Sequence, residues 1–304
     1  MAFYAFNRRN DDNLSQAEKE LMFSIEKTYD LYHYLLLLVL EIADIAAEKI
    51  DMALHKRIPT TEDLNPNTRF VDNLILNQLR NSEDFTSYIS KKKLSWVNSH
   101  VPRLLYTKML TWEPYKEYLS TTTGFSADKK FFISIINELF LTSEDLQAYL
   151  EEQSIYWNDD IEYVSAMAEK TIRKFRQGNL QNTLMPLFKN EEDKEFVKVL
   201  LRKAIMNDKK TSELIDKNTT NWEVERIALM DILVMKLAIT EILEFQEIPV
   251  RVTLNEYIEL AKYYCTSKSS TFVNGILDKI VKEMRDEGFL KKTGRGLMGE
   301  ALTD

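Results

Sequence analysis

The sequence predicts an all-α protein, and three observations carry that prediction. Glycine and proline are scarce, seven and six among 304 residues. The remainder is rich in Leu, Glu and Lys, side chains that lose little freedom in a helix. Apolar residues recur at helical spacing along most of the chain. The only β-like stretch, Ile248 to Leu254, is short and bounded by helical pattern.

Taken in order, Tyr4-Ala5-Phe6 reads as the last turn of a helix, followed by Arg8 and Arg9. Ser15-Gln16-Ala17-Glu18 has the form of a capping box. It opens a long helix to about Lys56, with Leu21, Ile25, Tyr29, Tyr32, Leu36, Val39, Ala43, Ala46 and Ile50 in one stripe. Leu35 to Val39 widens that stripe, so the helix should be buried on two sides; no strict heptad marks a coiled coil. A polar loop with Pro59 and Pro66 precedes a helix over 68–80, then 84–92 and a piece from Ser95 that Pro102 should break or kink. Short helices follow over 101–111 and 114–120. A strongly apolar helix covers 128–141, Ser143 caps one to about Gln153, and Asp159 or Asp160 opens another with Val164, Ala168 and Ile172 on one face. Its far end is basic (Lys170, Arg173, Lys174, Arg176), which suits the negative pole of a helix. The loop 178–190 leads to a helix over 191–207 and a further turn at 212–217. The tail 289–304 has no periodicity and is expected to be disordered.

The most informative stretch is Asn221 to Ile280. Its first helix, about Trp222 to Phe245, is too apolar for a surface helix and should be covered on several sides. Pro249 should end it. Thr253-Leu254-Asn255-Glu256 has the capping-box pattern for a second helix to about Tyr264. Ser269 or Ser270 then caps a third, stopped by Gly288. The blocks Asp231-x-x-x-x-Lys236-Leu237-Ala238, Glu241-Ile242, Ile248-Pro249, Asn255-Glu256-x-Ile258-Glu259-Leu260-Ala261-Lys262 and Phe272-Val273-Asn274-Gly275-Ile276-Leu277-Asp278 stand in register. Together they resemble the C-terminal half of the NusB family of bacterial transcription antitermination factors, over roughly Glu195 to Glu283.

That resemblance implies NusB-like helical bundles in two subdomains with an enlarged N-terminal half. Residues 1–157 would form the N-terminal region with extra helices, 158–288 the NusB-like domain, and 289–304 the tail. It implies an RNA-binding antitermination factor, cytoplasmic, acting with ribosomal protein NusE on boxA-type single-stranded RNA in the RNA polymerase antitermination complex. RNA contact would fall to Lys236, Lys262, Lys268, Ser269 and Phe272, the last as a base-stacking ring beside a helix start. Asp231 and Glu241 would face a basic protein partner. From position alone each of these residues also has a plain structural reading: a core anchor for Phe272, solvated or snorkelling lysines, and ordinary helix-surface acids. The family's Arg-rich start is reduced here to Arg8 and Arg9, after the apolar residues. That departure keeps open a second reading, a protein–protein scaffold that has lost direct RNA binding.

Other functions find no support. The formal charge of −8 argues against a general salt-driven nucleic-acid binder, so any RNA site must be local or shared with a basic partner. Cys265 is alone, so no disulfide or thiolate zinc site forms within the chain, which fits a reducing, intracellular compartment. No secretory signal is visible. The longest uncharged run, Leu31 to Leu40, is too short for a membrane span. His33, His55 and His100 lack metal-type spacing; His33, in an apolar stripe, reads as a satisfied core residue. No phosphate-binding glycine loop and no nucleophile motif occurs. Neither an enzyme, a cofactor, a membrane nor a small-molecule substrate is implied.

Overall fold

The computed structural model describes residues 2–9, 13–121, 124–178, 184–219, 227–266 and 268–298. The helices are α1 (Ala2–Arg9), α2 (Leu14–Leu54), α3 (Thr61–Leu64), α4 (Leu74–Arg80), α5 (Glu83–Lys92), α6 (Val101–Thr111), α7 (Glu113–Ser120) and α8 (Phe125–Ser134). After α8 comes a π-helical turn (Ile135–Phe140). Then follow α9 (Glu144–Gln153), α10 (Ile161–Lys174), α11 (Glu191–Met206), α12 (Asp208–Asn218), α13 (Leu229–Glu244), α14 (Val250–Tyr264) and α15 (Ser269–Asp286). Among the described residues there is no strand, and no helix is long and apolar enough to cross a membrane.

The chain divides into two compact units, one of residues 24–187 and one of 1–23 with 188–304. The expected boundary at 157/158 therefore falls inside the first of these. The reason is α10, whose Val164, Ala168 and Ile172 are buried in that unit's core.

The 24–187 unit is built on α2. Every residue from Asp30 to Leu36 on it is buried, and burial continues through Leu38, Val39, Leu40, Ile42 and Ala43. A helix apolar all round is an interior helix, and α4 to α10 supply its cover. Trp96 stacks on Tyr34, ring centroids 3.9 Å apart, and its indole N–H donates to the Tyr34 carbonyl at 3.1 Å. His33 stacks on Tyr88 at 3.9 Å and its Nδ1 lies 3.0 Å from the Tyr29 carbonyl. Burial pulls its pKa down to about 4, so it is a neutral core residue.

Local signals explain most ends and several displacements. Ser143 caps α9, accepting from the Leu146 N–H. Pro102 and Pro114 do not kink helices; both sit in a first turn, where a missing N–H costs nothing. The helix expected over 68–80 starts only at Leu74, because the Asn73 side chain caps it, accepting from the Ile75 and Leu76 N–H groups. Helix α2 starts ahead of Ser15, with the Asn13 side chain accepting from the Gln16 N–H.

In the other unit, α13 packs against α11, α12, α14 and α15. The central position predicted for it follows from its burial: Met235, Ala238, Ile239 and Ile242 are all but inaccessible. A smaller apolar cluster joins Phe3, Ala17, Leu201, Ala204 and Leu233. The start of α13 lies at Leu229 rather than Trp222, whose neighbourhood (220–226) is outside the described residues. The β-like reading of 248–254 is corrected: Pro249 holds the N-cap position and the helix begins at Val250.

The tail is ordered to Met298, against expectation; 299–304 lie outside the described residues. It packs on the α13–α14 turn. Lys292 is buried and donates to the Phe245 carbonyl at 2.9 Å, and the Thr293 N–H donates to the Gln246 carbonyl at 3.0 Å. Gly296 makes this approach possible: a Cβ there would lie 2.0 Å from the Gln246 carbonyl oxygen. Gly296→Ala is expected to lift the tail from the turn, at about 1–3 kcal/mol for an overpacked contact. Hydrogen exchange at the Thr293 amide and trypsin cleavage after Lys292 should both accelerate. Unchanged exchange would mean that the turn yields instead.

Candidate functional site: the corner between the last two helices

Helix α14 ends at Tyr264 and α15 begins at Ser269. Lys268 occupies the N-cap position of α15 and is exposed. Neither Ser269 nor Ser270 caps the helix, in contrast to expectation, and no side chain among the described residues does. Ser269 turns inward instead: it is 4% exposed, and its hydroxyl lies 2.8 Å from that of Thr266. Phe272, one turn into α15, is half-buried against the cluster formed by α13, α14 and α15. The corner thus presents a lysine, a partly exposed ring and the positive end of an 18-residue helix.

The other predicted residues divide sharply. Lys262, in the last turn of α14, is exposed and pairs with Glu259. Lys236 does not join the corner: its side chain is 13% exposed, its ammonium is 2.6 Å from Asp208 Oδ1, and it lies 5.9 Å from the centroid of the Phe3 ring. It links α13 to α12 and α1.

Asp231 and Glu241 were expected to face a partner, and both are instead buried, at 5% and 7% exposure. Because α13 is covered on several sides, its acids are covered with it. Asp231 lies beside Cys265; burial first, and then this carboxylate, push the thiol up to about 12, so it stays protonated. Asp231 Oδ1 has no hydrogen-bond partner among the described residues. Glu241 accepts from the Thr253 hydroxyl at 2.7 Å and the Tyr257 hydroxyl at 3.0 Å. Thr253, read in the sequence as a helix cap, therefore lies inside the first turn of α14 and donates to α13.

Burial raises the Glu241 pKa, opposed by those two hydroxyls and the Lys292 charge. A raised carboxyl pKa favours the folded state fully below the unfolded value, about 4.3. That contribution is lost as pH rises through the folded value. Glu241→Gln should therefore gain stability relative to the native chain as pH rises from about 4 to 7, read as melting temperature against pH. Parallel curves would show that Glu241 does not titrate in this window.

Sequence reasoning missed what depends on tertiary approach. Lys129 on α8 reaches the end of α10, and Lys292 and Gly296 anchor the tail.

The family model described as "NusB family" matches residues 160–282, from the start of α10 into α15. The chain is 42% identical over 115 residues to "Transcription antitermination protein NusB" of Salinibacter ruber, covering 38% of this chain and 72% of that protein. It is 43% identical over 105 residues to the protein of the same name from Chloroherpeton thalassium, covering 34% and 50%. It is 39% identical over 108 residues to that of Alkaliphilus oremlandii, covering 34% and 78%. No solved structure matches the chain. Helices α13 and α14, the first part of α15 and the corner between them lie within the matched region, and the chain is a member of the NusB family of transcription antitermination factors, which are not enzymes.

Proposed function

We propose that this protein promotes antitermination by binding boxA-type single-stranded RNA together with ribosomal protein NusE, as part of the RNA polymerase antitermination complex in the cytoplasm. The observation that carries the reading is the α14–α15 corner: an exposed Lys268 at a helix start with Phe272 one turn on. A cation can meet a phosphate there, and an aromatic face can stack a base. Lys262 stands in the adjoining last turn of α14 and adds charge at the cost of its Glu259 pair. Ser269 supports the corner from behind and Lys236 lies outside it, so given their burial and bonds neither is assigned RNA contact. Asp231 and Glu241 are left out of the partner surface for the same reason.

An acidic protein, formal charge −8, gains from a basic partner that completes the RNA surface. Fluorescence anisotropy of labelled boxA RNA against a scrambled control, at fixed salt, with and without NusE, tests this. Preferential boxA binding in the presence of NusE is the expected result. Binding of NusE without any RNA preference would favour the scaffold reading, for which the diversion of Lys236 into its Asp208 pair is the one specific observation.

A further inference from the structure

The C-terminal end of α10 gathers cations from two helices: Lys129 and Lys130 of α8, Lys170, Arg173 and Lys174 of α10, and Arg176 just beyond it. Lys129 joins α8 to this end of α10, and Lys130 follows it on the same helix. Its ammonium donates to the carbonyls of Arg173 at 3.1 Å and Phe175 at 2.7 Å. The next carbonyl, of Arg176, accepts from Gln78 Nε2 at 2.8 Å. A helix end carries only about half an elementary charge, so one seated ammonium already answers it. The further cations exceed what the helix pole calls for.

Their carboxylate cover is thin. Glu169 pairs with Arg173 one turn back and also accepts from Asn137. Asp128 of α8 is buried and occupied by the Tyr118 hydroxyl and the Leu74 N–H. Lys130, Lys170, Lys174 and Arg176 are exposed, with no carboxylate within 4.0 Å among the described residues. The lysine at the centre feels this: burial lowers the Lys129 pKa, and the charges of Arg176 and Arg173 lower it further. Over the whole chain acids outnumber bases, 48 to 40. The patch is therefore a local positive field on an acidic chain, made largely of long, solvated side chains. That suits a run of phosphates, which takes point charges without demanding a shaped pocket.

We propose that the end of α10 is a phosphate-backbone contact for RNA, additional to the α14–α15 corner and without sequence preference. The proposal rests on the RNA-binding reading given above. It is tested with the full chain and NusE, by titrating labelled RNA containing boxA between about 50 and 200 mM salt. The variant is Lys130→Gln/Lys174→Gln/Arg176→Gln. All three side chains are exposed, so the melting temperature checks the fold. A control, Lys49→Gln/Arg57→Gln/Lys91→Gln, removes the same charge from exposed positions elsewhere.

For single strands each lost phosphate contact flattens the log K against log salt slope by about 0.7, so three contacts flatten it by about 2. The patch variant should show this flattening and at least about tenfold weaker binding at the low-salt end. The loss should be equal on boxA and scrambled RNA, while the control keeps the native slope. A native slope in the patch variant overturns the proposal and leaves the antitermination reading intact. The same flattening in both variants also overturns it, since net charge alone would then be responsible. No RNA binding by the native chain with NusE overturns both.

Discussion

Asp128→Ala should destabilise the protein more than any other single change considered, by about 3–5 kcal/mol. Asp128 is 5% exposed and joins α8 to the start of α4 and to α7. Its Oδ1 accepts from the Tyr118 hydroxyl at 2.9 Å and its Oδ2 from the Leu74 N–H at 3.0 Å. Its backbone carbonyl accepts from Asn73 Nδ2 at 3.2 Å, and that same amide donates to the Tyr118 oxygen at 3.0 Å. Tyr118 is fixed on both ring faces, stacked on Phe131 at 4.0 Å and capped by the Arg69 guanidinium at 4.2 Å. Alanine would leave the Leu74 N–H without its acceptor and the Tyr118 hydroxyl with only the Arg69 carbonyl, at 3.4 Å, each loss costing about 1–3 kcal/mol.

Asp128→Asn keeps one acceptor and should lose about half as much. Urea denaturation followed by tryptophan emission reads the effect, since Trp96, Trp112 and Trp157 all belong to residues 24–187. Asparagine and alanine variants of equal stability would mean that the backbone carbonyl, not the carboxylate, holds the cluster.

The all-α class was legible because it rests on composition and period, which are local. Helix α2 announced its interior position through an apolar run too wide for one face. Helix ends were less legible, because the same residue types serve several purposes. Thr253 with Glu256 three residues on has the form of a capping box, yet Thr253 spends its hydroxyl on Glu241 across two helices. Pro249, taken as an end, is a beginning.

The burial of Asp231 and Glu241 was legible in principle: a helix too apolar for the surface and covered on several sides covers its acids as well. Lys236 was misplaced for another reason: its partner Asp208 is 28 positions away, and no pattern along the chain reports that pair. The packed tail is not legible either, since one glycine passing too close to a carbonyl to carry a Cβ leaves no periodic trace.

Phe272→Ala should weaken boxA binding by about 1–3 kcal/mol, the range for one base stacked on an aromatic ring. That is roughly a fivefold to 150-fold rise in Kd. The difficulty is that Phe272 is also half-buried against the α13–α15 cluster, so alanine removes packing as well as a stacking face. Phe272→Leu separates the two. Leucine retains apolar volume at the start of α15, so the melting temperature should stay near the native value. It has no π face, so RNA affinity should fall nearly as far as in the alanine variant. Phe272→Tyr should restore it. Lys268→Glu, at an exposed position, should weaken binding further and make it less steep in salt, because a phosphate contact is lost. If the leucine variant binds boxA with native affinity while the alanine variant does not, the ring is a core anchor. The corner would then act through Lys268 and the helix start alone.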